Sequence, residues 1–392
     1  MRDNFFKHQG QTTPHPLAIE ISHANGSYIY DSKGKKMLDF VAGVSANSLG
    51  HNHPKINDAI KNQLNSYTHV MVYGEFIQKP QLNLCKVLAN TLPENLSSVY
   101  LVNSGTEATE GALKLAKRFT GKTEIIAAKN SYHGNTQGAM SVCGAEQQNR
   151  AFRPLIPGIK FIEFNNEIDL QKITAKTAGV ILETIQGGAG FIEPKNNYLN
   201  KVKKRCEEVG ALLILDEIQS GIGRTGKFWG FENYNVIPDI IIAGKGLGGG
   251  MPIGAFISSY KIMNCLKEAP KLGHITTFGG HPVIASAGLA TITEIIATNI
   301  INETLRKEQL IKDRFKNHPE IKEIRGRGLM LALLVESPEI ASKIILNCLE
   351  KGLILFWLLF EGSAIRITPP LTISDKEIND GCDIILNELN ML

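Results

Sequence analysis

The sequence predicts an α/β fold: a mostly parallel sheet with helices on both faces, plus a smaller α+β domain built from both chain ends. Three observations predict it. Through the middle of the chain, short apolar runs alternate with helical patterns, as strands buried on both faces do. The two ends break that alternation with a polar–apolar meander and a charged helix. And 392 residues, 43% hydrophobic and 20% charged, hold ample core material for more than one ordinary domain.

In chain order, residues 17–40 read as a small meander. Ile19, Ile21, Tyr28 and Tyr30 alternate, and Asn25-Gly26 marks a hairpin turn. The α/β part runs from about Asp58 to about Ala297. Its strands are Val99–Val102, Glu124–Ala128, Val180–Glu183 and Leu212–Leu215, each followed by a helix. Ile240–Ala243 and Ala255–Ser258 follow close together with no helix between them. After Ile301 comes a charged helix, then the apolar run Arg325–Val335, read as one strand. A helix over Pro338–Lys351, a strand around Ala364–Ile367 and a final helix from Ser374 complete the chain. The expected division is residues 1–57 and 298–392 in the smaller domain and 58–297 in the larger.

A net charge of +4 with only short basic runs argues against nucleic-acid binding. No stretch reaches the roughly 20 apolar residues that span a bilayer. The N-terminus is polar and leads into no long apolar run, so no signal peptide is expected. The six cysteines, Cys85, Cys143, Cys206, Cys265, Cys348 and Cys382, are far apart and show no metal-ligand spacing. They read as buried free thiols of a cytoplasmic protein. His51, His53 and His133 do not suggest a metal site, and none is expected. Phe228, Trp229 and Phe231 read as an aromatic cluster for core or dimer packing.

Three segments carry chemistry. Lys245 ends an apolar strand and enters a glycine loop, Gly244-Lys-Gly-Leu-Gly-Gly-Gly250. A lysine desolvated there has a lowered pKa and becomes a usable amine nucleophile; one snorkelling out of the loop does not. The formal GxGxxG at Gly244, Gly246 and Gly249 lacks the strand–turn–helix context of a dinucleotide site. Asp216 closes the strand Ala211–Leu215 at its carboxyl end, where open α/β sheets bind ligands. Asn103-Ser-Gly-Thr-Glu-Ala108 follows a strand and opens a helix. Its small residues leave backbone N–H groups free for an anion, or simply form an N-cap. A lysine, an acid and a phosphate-ready helix terminus together suggest pyridoxal 5'-phosphate. That cofactor needs an amine for its aldehyde, a carboxylate for its ring nitrogen and a cup for its phosphate.

On these residues the chain resembles the class III aminotransferases of fold type I, and within them the acetylornithine and ornithine group. The resemblance extends over nearly the whole chain. It includes Leu49-Gly-His-Asn-His-Pro54, Ser104-Gly-Thr-Glu-Ala108, Tyr132-His-Gly134, Asp216-Glu-Ile-Gln-Ser-Gly221, Gly223-Arg-Thr-Gly226, Thr276-Thr-Phe-Gly-Gly280 and Arg325-Gly-Arg-Gly328. It implies that Lys245 joins the cofactor aldehyde and later moves a proton, and that Asp216 pairs with the ring nitrogen. Gln219 would bond the ring hydroxyl, with Ile218 and Tyr132 on opposite ring faces. Ser104, Gly105 and Thr106 would serve the phosphate, and Thr277 would reach the phosphate of a neighbouring subunit. That last role implies a homodimer with shared sites. His133 and Glu183 would belong to the cofactor's surroundings, and Arg366 would bind a substrate carboxylate as a bidentate pair. The implied activity moves a terminal (ω) amino group from an amino-acid-like donor to a keto acid in a ping-pong cycle. A lyase, decarboxylase or aminomutase would use the same cofactor cradle.

Two positions depart from the ornithine-group pattern. Gly188 in Gln186-Gly-Gly-Ala-Gly190 stands where that group carries a glutamate, which neutralises the carboxylate-binding arginine in one half-reaction. Asn135 stands where ornithine members carry an arginine. Arg150 or Arg153, in the following loop, could supply the missing charge. The apolar run Phe356–Phe360 reads either as a packed core strand or loop, or as a wall over the substrate.

Overall fold

The computed structural model describes residues 1–392. Seven strands form the central sheet, in the order Ser98–Val102, Gly254–Ser258, Ile240–Ala243, Leu212–Asp216, Thr177–Glu183, Glu124–Ala128 and Ile159–Ile162. Five neighbouring strands of it, from Ile240–Ala243 to Ile159–Ile162, run parallel. Gly254–Ser258 runs antiparallel to both of its neighbours. The missing helix after Ala243 fits that antiparallel step, because parallel neighbours need a long crossover whereas antiparallel ones do not. The segment between is only the glycine loop and a short turn at Lys245–Gly248.

The helix Gly105–Thr120 buries Ala108, Ala112, Leu115 and Ala116 against this sheet, and Gly121 ends it in the left-handed conformation. Gly111 sets how closely it packs: a Cβ there would lie 2.3 Å from the Phe256 ring. Three expectations for this region need correction. Leu212–Asp216 is followed by turns and the short 3-10 helix Gly230–Tyr234, not by an ordinary helix. Glu124–Ala128 is followed not by a helix of ordinary length but by a long loop and two short helices, Gln137–Ser141 and Glu146–Asn149. Gly134 and Gly138 within it break a helical period. And Ile159–Ile162, an edge strand of four residues, gave too short a signal to be read.

The chain ends form two four-stranded sheets. One joins Ile21–Asn25, Tyr28–Asp31 and Lys36–Asp39 to Leu353–Ile354, so the first residues pair with the last hundred. The hairpin at Asn25-Gly26 is present, with Gly26 at φ +55, but Ile21 is exposed rather than core. The other sheet holds Glu323–Arg327, Met330–Leu334, Ala364–Ile367 and Phe356–Trp357. Arg325–Val335 is therefore a hairpin and not one strand. Gly328 turns it at φ +62, where a Cβ would lie 2.3 Å from the Arg224 carbonyl. One apolar core links both ends, packing Leu38 and Phe40 with Ile311, Leu331, Ile345, Ile367 and Ile385. No single helix is long and apolar enough to cross a membrane. All six cysteines are free, four buried and two (Cys85 and Cys265) half-buried. His51 bonds Asp39 at 2.7 Å. Trp229 and Phe231 are core residues.

Candidate active site

The carboxyl ends of three neighbouring strands meet at a cavity of about 520 Å³. Glu183 and Asp216 are direct register partners at the ends of two of them, and Lys245 follows the third. Lys245 holds a left-handed backbone (φ +42), a strain that only over-determined surroundings maintain. Its amine has no hydrogen-bond partner. Desolvation lowers its pKa, with Arg366 acting in the same direction and Asp216 and Glu183 opposing.

Each carboxylate is held in place. Asp216 Oδ1 accepts from the Ile218 amide at 2.9 Å, and Oδ2 contacts His133 Nδ1 at 2.7 Å. With Asp216 ionised, His133 is the donor, which leaves its buried Nε2 without a partner. Glu183 accepts from the Tyr132 and Gly187 amides at 3.0 and 2.8 Å. Burial nevertheless pushes its pKa up to about 7.

The helix Gly105–Thr120 points its N-terminus at the same cavity. Ser104 caps it by accepting from the Glu107 amide. Gly105 and Thr106 line the cavity, and their amides have no carbonyl one turn earlier. Ile218 packs over Gly105: a Cβ at that glycine would lie 2.6 Å from Ile218 Cδ1. Gln219 donates to Ser45 Oγ at 3.3 Å.

The remaining wall comes from the C-terminal segment. Arg366 lies in the strand Ala364–Ile367, opposite Phe356. It is 5% exposed, forms no ion pair, and leaves Nε unbonded. Burial alone lowers its pKa to about 10. Phe356, Trp357, Leu358 and Leu359 also line the cavity. The Phe356–Phe360 run is thus a two-residue strand that doubles as an apolar wall.

Ten of the residues given cofactor or substrate roles from sequence line this one cavity, Gly105, Thr106, Tyr132, His133, Glu183, Asp216, Ile218, Gln219, Lys245 and Arg366, and so do the two departures, Asn135 and Gly188. Ser104 and Thr277 do not. Ser104 is spent on the cap, and Thr277 is exposed on the surface. Arg150 and Arg153 stay outside as well, both exposed, with Arg153 paired to Glu146. Val44 and Ile185 line the cavity yet carry no sequence signal, and Ser220 lines it from within the Asp216–Gly221 motif without having been given a role. They are ordinary residues brought in by chain segments far apart in sequence.

The donor set fits pyridoxal phosphate. It offers an unbonded, desolvated amine, a strand-end carboxylate, an anion-ready helix N-terminus and a glycine cradle beneath Ile218. Comparisons with known proteins agree. The aminotransferase class-III family model matches residues 9–389. An acetylornithine aminotransferase from Caldanaerobacter subterraneus is 38% identical over 381 residues, covering 94% of this chain and 93% of that protein. A LysW-aminoadipate semialdehyde/glutamate semialdehyde transaminase from Sulfolobus acidocaldarius is 34% identical, covering 94% of each chain. The crystal structure of the ornithine aminotransferase from Toxoplasma gondii matches with a TM-score of 0.91 at 29% identity, over 100% of this chain and 95% of that one. A strand-end lysine and aspartate facing a phosphate-ready helix, on a chain matched almost end to end, make this protein a member of the class III aminotransferases, enzymes that depend on pyridoxal phosphate and move an amino group from an amine donor to a keto acid.

Proposed function

We propose that the donor is an ω-amine that also carries a carboxylate, and that its second amino group is masked or absent. The observation that carries this reading is the unpaired, buried Arg366 sharing a cavity with Lys245. A guanidinium desolvated without a counter-charge is costly, and a substrate carboxylate supplies that charge in bidentate form. A free second ammonium finds no such match. The cavity's two acids, Glu183 and Asp216, are already committed to amides and to His133. The opposite wall is Phe356, Trp357, Leu358 and Leu359. Position 188 carries no acid, and a side chain there would have to displace the Phe360 ring, 2.8 Å from a Cβ at that position. Arg366 is then free for an anion in both half-reactions. Acetylornithine, in the name of several relatives, has the required shape: one free terminal amine, one acylated amine and one carboxylate.

In this reading each residue has a role. Bound pyridoxal phosphate supplies an aldehyde for the donor amine and a ring that stores the electron pair released at carbon. Lys245 would hold the cofactor through its amine and would serve as the proton carrier at the substrate carbon. Asp216, oriented by His133, would face the ring nitrogen as its carboxylate partner. Gln219 would bond the ring hydroxyl, with Ile218 and Tyr132 on the ring faces. Gly105 and Thr106 would hold the phosphate through their amides. Glu183 fixes the Tyr132 and Gly187 backbone. Arg366 orients the substrate so that its far end reaches Lys245.

We read the protein as a cytoplasmic homodimer whose large domain, residues 58–297, is completed by both chain ends. The exposed Phe76, Ile77, Ile275 and Phe278, with Thr277 among them, support burial of this face by a second copy. Sedimentation at micromolar protein tests the dimer.

The donor reading is tested in single turnover without acceptor, using ornithine, N-acetylornithine, N-succinylornithine, lysine, 4-aminobutyrate, β-alanine and glutamate. One equivalent of carbonyl product per site is expected from the acylated ornithines and little from lysine or ornithine. Equal yields from ornithine and N-acetylornithine would refute the masked-amine requirement.

A further inference from the structure

Four consecutive residues of the cavity wall, Tyr132–Asn135, come from the loop that replaces the expected helix after Ala128. Two groups outside the cavity pin it. Cys143, buried, accepts from the His133 amide and contacts the carbonyls of Gly134 and Ala139. Glu110, in the second turn of the helix Gly105–Thr120, holds the other side. One oxygen, Oε1, accepts from the Thr136 hydroxyl at 2.6 Å and from the Gly138 and Ala139 amides at 2.9 and 3.2 Å.

That arrangement sets the direction of the next bond. Thr136 gives its proton to Glu110, so in the 2.8 Å contact between the Thr136 and Thr106 hydroxyls Thr106 donates. The Thr136 amide donates back to Thr106 Oγ1 at 3.2 Å. There is no slack in the packing. A Cβ at Gly138 would lie 2.2 Å from Glu110 Oε2, and one at Gly134 would lie 2.3 Å from Thr106 Oγ1. Glu110 does not itself line the cavity.

We propose that Glu110 is a positioning residue of the phosphate cup: through Thr136 it fixes the Thr106 side chain and the Gly134–Thr136 backbone against the helix N-terminus. This rests on the pyridoxal-phosphate reading of the cavity. It predicts a role in gripping phosphate that depends on an acceptor at Oε1 and not on the negative charge, since all three bonds enter one oxygen.

The test uses the full-length chain stripped of cofactor. It is titrated with pyridoxal phosphate and, separately, with pyridoxal, which lacks the phosphate; binding is followed by Trp fluorescence, because Trp357 lines the cavity. Glu110→Ala and Thr136→Val should bind pyridoxal phosphate about tenfold more weakly, the loss expected from one well-made buried hydrogen bond. Glu110→Gln, which keeps an oxygen acceptor, should stay within about threefold of wild type. All three should bind pyridoxal as wild type does. Should Glu110→Ala fail to fold, Thr136→Val decides alone, since valine keeps the shape of threonine. Wild-type affinity in both disruptive variants overturns the proposal, and so does an equal loss for both ligands, which marks a merely structural role. A wild-type protein that binds both ligands equally would overturn the cup itself.

Discussion

The floor and the far wall of the cavity are built on opposite terms. On the floor, Asp216 and Glu183 each accept two bonds, the helix Gly105–Thr120 is capped, and the loop from Tyr132 to Thr136 is pinned from two sides. On the wall, Arg366 is as deeply buried as Asp216 but has no counter-charge, and its neighbours are apolar. A polar network satisfied in most of its groups, His133 Nε2 and the Lys245 amine excepted, holds one geometry. An unsatisfied buried cation waits for a ligand to complete it. The floor is therefore suited to a resident group that never leaves its place, and the wall to substrates that come and go.

Substitutions can break this contrast, beginning with the largest effect. Lys245→Ala should abolish turnover, by at least about 10⁴-fold, because the nucleophile and the proton carrier are lost together. The measurement is kcat of the cofactor-loaded variant, and wild-type turnover would end the reading of the floor. Arg366→Ala should act on the wall alone. It should raise KM for carboxylate-bearing donors by roughly 10- to 100-fold, the size of a lost charge-assisted pair. An amine without a carboxylate should be unaffected, and equal losses for both kinds of donor would mean that Arg366 is structural.

The smallest effect concerns pH. Burial raises the pKa of Glu183 to about 7, above the ordinary value of 4.5. The folded state then holds the proton longer than the unfolded chain does. Its contribution to stability is full below about pH 4.5 and is lost as pH rises through about 7. Urea unfolding of wild type and Glu183→Gln should differ in slope over that window, by on the order of 1 kcal/mol per pH unit. Parallel profiles would show that the two amides hold Glu183 ionised throughout, which would make the floor still more rigid than proposed.

Much of the floor was legible because strand ends are legible. Lys245, Asp216 and Glu183 each terminate an apolar run, and a parallel sheet gathers such ends along one edge. The helix start at Ser104 was legible for the same kind of reason, since small residues between a strand and an amphipathic period mark a terminus. What failed depended on glycine. The hairpin at Gly328 was hidden inside an apolar run, and the loop after Ala128 was taken for a helix. In both places the backbone turns where a side chain would collide with a distant carbonyl or threonine, and no local pattern records a distant atom. Arg153 shows the converse error: a charge near the site in sequence was offered to it, while its partner, Glu146, lay closer.

The sequence by itself pointed to the sheet, to the cofactor and to three segments, Lys245, Asp216 and the helix start at Ser104, because burial, strand-end acids and helix termini are local properties of the chain; the other assigned residues came from the family resemblance. Only the tertiary structure decided that Arg366 stands without a partner, that the Phe360 ring packs against position 188, and that Glu110 reaches across to Thr136. Each of these depends on the distance between segments remote in sequence, and that distance is set by packing rather than by any residue's own preference.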